Sequence, residues 1–159
     1  MTAPKGALVP SRLPPALWIS GGLLVLAAMV LPWTTYSMNG PAVSVSGVGL
    51  LQYLPELGAL AVGGLALVLL GLGLGRGRVW STDLPRTLPA KGMTLLVSFL
   101  SFVVPVEVAF RFAAESRALT GTTFLNAVGP GWGLALVGAS LALLGALALL
   151  FQKSSSTAA

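Results

Sequence analysis

The chain has 159 residues, of which 55% are hydrophobic and only 8% charged, with a mean hydropathy of +0.91. Soluble domains carry about 25% charged residues, so a water-soluble fold of this size is excluded and a bilayer must solvate most of the chain. There is no Cys and no His, which excludes disulfides and thiolate chemistry and removes the commonest metal ligand and general base.

Four apolar stretches, at about residues 14–33, 57–74, 93–112 and 132–151, have the composition of membrane spans. Each approaches the ~20 residues that cross ~30 Å of hydrocarbon. A backbone in lipid must satisfy its own hydrogen bonds, so each is expected to be a helix. The first follows Lys5 and Arg12 and ends in Leu31-Pro32-Trp33. It lacks a small-x-small cleavage site and is expected to be retained. From Thr34 to Val45 the residues are β-branched and turn-forming, and Asn39-Gly40 signals a hairpin. Ser46, followed by Gly47, is placed to N-cap a short surface helix of about two turns. Pro55 stands where the second long helix can start, and Glu56 complements the dipole there.

Gly71 and Gly75 form a GxxxG at the far end of that helix. The following loop holds Arg76, Arg78, Arg86 and Lys91, with Asp83 as their solvated partner. The third helix carries Ser98, Ser101, Pro105, Glu107 and Arg111, and residues 107–119 read as its continuation. Thr120 and Gly121 then occupy the place of Ser46 and Gly47, with Thr120 as the second N-cap. In the fourth helix Gly138, Ala142 and Ala146 make a stripe of small residues at spacing four. Trp18, Trp33, Trp80 and Trp132 lie near segment ends, where interfacial indoles are favoured. A short polar tail, Ser154 to Ala159, ends the chain.

The net charge of +5 sits in residues that flank apolar segments, the pattern of topogenic charge rather than of a nucleic-acid-binding face. Lys5, Arg12, Arg76, Arg78, Arg86, Lys91 and Lys153 fall on one side of the membrane, and Arg111 and Arg117 on the other. The first side is expected to be cytoplasmic, with both termini inside. The chain also reads as a tandem duplication: Pro10 and Pro85, Pro14 and Pro89, and Pro55 and Pro130 each stand 75 residues apart. The expected fold is therefore an all-α four-transmembrane-helix bundle, built from two tandem helical hairpins, residues 1–83 and 84–159. An even number of spans per repeat makes the repeats parallel, with a pseudo-two-fold axis along the membrane normal.

Leu31-Pro32-Trp33, the turn after it and the Ser46-Gly47 element resemble the tryptophan-associated transmembrane family of small bacterial four-helix membrane proteins. The resemblance covers little more than the first repeat. It implies the fold and a bacterial plasma (inner) membrane, and no mechanism.

Glu107 and Arg111 are the sharpest candidates for a site, four apart on one helix face with the acid first. Ionisable residues at membrane depth suggest function, and Ser98 and Ser101 would extend the site inward. No nucleophile–base pair, metal-ligand cluster or phosphate-binding loop is visible, so an enzyme is not expected, nor is a cofactor. The expected partners are membrane lipids, other membrane subunits or further copies of the chain. Two functions fit: an accessory or structural subunit of a bacterial cell-envelope complex, and a small homo-oligomeric transporter or channel with its polar site at Glu107 and Arg111.

Overall fold

Long runs of Leu, Ala, Val and Gly give four helices long and apolar enough to cross a membrane. The computed structural model describes residues 13–36, 43–75, 88–120 and 128–151. In chain order these form α1 (Leu13–Val30), β1 (Pro32–Tyr36), β2 (Val43–Ser46), α2 (Gly47–Leu50), α3 (Glu56–Gly75), α4 (Leu88–Thr120) and α5 (Pro130–Phe151). The helices form a ring: α1 packs on α3 and α5, α4 packs on the same two, and α1 and α4 stand diagonally opposite. Each neighbouring pair is antiparallel. One end of the bundle therefore gathers the β-strands, α2, the starts of α3 and α5 and the finish of α4. We refer to it as the hairpin end.

The α1–α5 contact is close because glycines face each other. A Cβ on Gly21 would lie 2.5 Å from the Gly138 carbonyl oxygen, and one on Gly138 would lie 2.6 Å from that of Gly21. Small residues bring backbones together in this way, which gives membrane helices dense packing without a hydrophobic driving force. Gly22 does the same for α1 and α3, with the Gly64 carbonyl 2.5 Å from its Cβ position. The expected packing residues fall into this scheme. Gly71 is buried on α1 beside Ile19 and the Pro15 carbonyl, while Ala142 and Ala146 are buried with Trp18. Gly75 ends α3, but its surroundings lie outside the described residues.

The tryptophans depart from the expected interfacial belt. Trp18 is fully buried, and its Nε1 donates across to the Ala142 carbonyl at 3.1 Å. Trp33 is buried as well, and its Nε1 donates to the Ala28 carbonyl at 2.7 Å. That acceptor has a local cause: four residues after Ala28 stands Pro32, which has no N–H to give. The missing donor ends α1 at Val30, short of the expected Trp33, and the indole replaces it. Gly131 and Gly47 make room for the ring, since a Cβ would sit 2.6 Å from Trp33 Cδ1 at the first and 2.8 Å from Nε1 at the second. Trp80 lies outside the described residues.

The expected hairpin is present as an antiparallel pair, with Thr34 opposite Val45, Thr35 opposite Ser44 and Tyr36 opposite Val43. The register is irregular between Pro32 and Thr34, where Trp33 turns into the bundle. Its turn, Asn39-Gly40, lies outside the described residues. The other edge of β1 is taken by the chain entering α5: Thr34 bridges Val128, and Gly129 N–H donates to the Trp33 carbonyl at 2.8 Å. Ser46 caps α2 as expected, its Oγ accepting from Gly49 N–H at 3.2 Å. The short helix is one turn rather than two.

The stretch expected to mirror Ser46-Gly47 differs. Thr120 is the last residue of α4 rather than the cap of a new helix, because α4 runs unbroken for 33 residues. Gly121 lies outside the described residues.

A candidate polar site at the hairpin end

Glu56 opens α3 directly after Pro55, and Arg111 closes the apolar part of α4. Because α3 and α4 are antiparallel, both reach the hairpin end. Arg111 Nη1 stands 3.0 Å from Glu56 Oε1, and its Nη2 stands 2.7 Å from Glu107 Oε1. The guanidinium thus bridges one carboxylate on its own helix and one on the neighbouring helix, a fork geometry suited to Arg. The trio keeps a formal charge of −1, two carboxylates against one guanidinium. The side chains are 48% (Arg111), 45% (Glu107) and 31% (Glu56) exposed, which leaves the pairs open to screening by salt. Glu56 Oε2 is itself buried without a hydrogen-bond partner.

The intrahelical pair matches the sequence expectation, but the Glu56 link was missed. A usable signal existed: in an antiparallel hairpin, the start of one helix and the finish of the next share one membrane face. Glu56 thus serves the dipole of α3 and the guanidinium of α4 from one position.

Ser98 and Ser101 do not extend the trio inward. With Thr94, Pro105 and Val108 they form the buried face of α4. At 3.6 residues per turn, Glu107 and Arg111 point roughly 140° and 100° away from the centre of that face. Ser101 Oγ donates to the Val97 carbonyl at 2.9 Å and fills the place of a Cβ at Gly63 of α3. Ser98 Oγ is fully buried and has no hydrogen-bond partner. Beside this row, Trp132 Nε1 donates to the Pro105 carbonyl at 2.7 Å, tying α5 to the middle of α4.

Among the described residues, no three carboxylates gather to hold a metal ion. What the trio can do chemically is neutralise charge at the bundle's edge and couple α3 to α4. No protein-family model matches the chain, and neither the curated proteins nor the solved structures compared with it include a match.

Proposed function

We propose that this chain is a non-catalytic membrane protein, an accessory or structural subunit of a bacterial cell-envelope complex. The observation that carries the reading is the length of α4. Its 33 residues give a helix of about 50 Å, against about 30 Å of hydrocarbon. The apolar segment finishes at Arg111, and the helix continues to Thr120, at the end of the bundle that also carries the hairpin and α2. Helix, strands and turn thus gather at one end, where a partner's surface could meet them. The bundle below is filled by paired glycines and buried tryptophans, which suits a scaffold better than a conduit.

We place the hairpin end outside the cell and both termini in the cytoplasm, on the strength of the seven basic residues against two. The duplication has support in the element starts. Helices α1 and α4 begin at Leu13 and Leu88, each with proline second, and Pro55 and Pro130 stand at the starts of α3 and α5. The resemblance carried by Leu31-Pro32-Trp33 and Ser46-Gly47 points to the bacterial plasma membrane.

Purification from the native membrane in mild detergent, with mass determination of the intact particle, tests this reading. A particle holding a second kind of chain is expected. A homogeneous homo-oligomer would favour the second reading, a small transporter or channel. The unpartnered Ser98 hydroxyl, buried between Thr94 and Ser101, is the observation on that side. Under that reading Glu107→Gln abolishes solute flux while folding survives.

A further inference from the structure

A serine inside an apolar helix can satisfy its hydroxyl on its own backbone, and three serines of this bundle do so. Ser20 Oγ donates to the Ala16 carbonyl at 2.8 Å, Ser101 Oγ to that of Val97 at 2.9 Å and Ser140 Oγ to that of Leu136 at 2.8 Å, each four residues back. Ser98 has the equivalent carbonyl, that of Thr94, and does not use it. Its Oγ is fully buried and finds no hydrogen-bond partner in the protein. Burying a hydroxyl in that state is costly, so the place suits a small guest that can hydrogen-bond.

Depth, room and direction narrow the guest. Ser98 and Ser101 lie about 9 and about 14 Å along the apolar span that starts at Gly92, well inside the hydrocarbon. Facing Ser101, α3 has a glycine. A Cβ on Gly63 would lie 2.8 Å from Ser101 Oγ, and among the described residues outside α3 no residue but Ser101 comes within 4 Å of that point. The glycines that bring α1 against α3 and α5 have no such space: backbone carbonyl oxygens stand 2.5–2.6 Å from the Cβ positions of Gly21, Gly22 and Gly138. Ser101 gives its hydrogen to Val97, so its Oγ is left to accept, whereas the Ser98 hydrogen is uncommitted. Three residues apart on one helix, the two Cβ atoms are about 5–6 Å from each other, a span that one water fills. We propose that a resident water molecule sits beside Gly63 and bridges Ser98 to Ser101. It accepts the Ser98 hydrogen and donates to Ser101 Oγ, which in turn donates to the Val97 carbonyl. The site goes beyond both functional readings, because it needs neither a partner chain nor a transported solute.

The test is solid-state NMR of the full chain in lipid bilayers, with serine labelled in 13C and magnetisation transferred from water protons to the assigned serine carbons. Ser20 and Ser140 are internal controls, since each lies within an apolar span and donates to its own helix. Ser98 and Ser101 should receive magnetisation from water, and the two controls should not. In Ser98→Ala the transfer to Ser101 should be lost, because the water has lost the group that holds it. Ser98 as dark as Ser140 would overturn the proposal, since its hydroxyl would then be dry. Transfer to Ser20 and Ser140 equal to that at Ser98 would also overturn it, as general hydration rather than a site. So would transfer to Ser101 that is unchanged in Ser98→Ala. The comparison of Ser98 with Ser140 is made in the unsubstituted chain, so it decides even if Ser98→Ala does not fold.

Discussion

Pro32 and Trp33 show how one residue's deficit becomes another's role. Proline leaves the Ala28 carbonyl without its helical donor, and the next side chain supplies one. Trp33→Phe removes only the donor and should cost about 1 kcal/mol in reversible unfolding. Trp33→Ala also empties a buried site and should cost roughly 3–5 kcal/mol. Equal losses from the two variants would mean that the hydrogen bond, and not the packing, is what matters. Glycines divide in the same way. A methyl group at Gly138 meets the Gly21 carbonyl, whereas Gly133 has open space around its Cβ position. Gly138→Ala should therefore destabilise by about 1–3 kcal/mol, while Gly133→Ala should be neutral or gain up to about 1 kcal/mol of helix propensity. Thermal unfolding of the two variants side by side reads the difference.

At the scale of elements, what could be read in the sequence followed from local chemistry. The spans follow from composition and length, the hairpin from β-branched residues around Asn39-Gly40, and the cap of α2 from Ser46. Ser46→Ala should cost about 1 kcal/mol and speed hydrogen exchange at the Gly49 amide; unchanged exchange would show that the cap does not hold α2. Features that depend on a second element were harder to see. Trp18 and Trp33 lie near segment ends and carry a polar N–H, so they read as interfacial, yet each is buried against glycines of another helix. Glu56 had a sufficient local explanation, and its ion pair with Arg111 emerges only once α3 and α4 are set side by side. Position along α4 groups Ser98 and Ser101 with Glu107, whereas the helical angle separates them. Thr120 matched Ser46 by alignment, but α4 continues through it because no proline or glycine between Val106 and Leu119 stops the helix.

The whole molecule is asymmetric about its own ring. Four helices pack as a ring, yet α1 packs more extensively on α5 than α4 does on α3. The close side is lined by glycine and alanine, and the looser side by serines and the ion trio. The glycine contacts hold α1 closely against α3 and α5, and α4 is the helix that continues past its apolar segment. This account requires the hairpin end and the loop between α3 and α4 to lie on opposite sides of the membrane. Single cysteines in the otherwise Cys-free chain test that directly, at Val48 on α2 and at Ser81 between α3 and α4, with an impermeant maleimide on intact cells. Labelling of Val48→Cys in intact cells, with Ser81→Cys labelled only after permeabilisation, is the predicted result. Equal labelling of both in intact cells, or the reverse order, would contradict it.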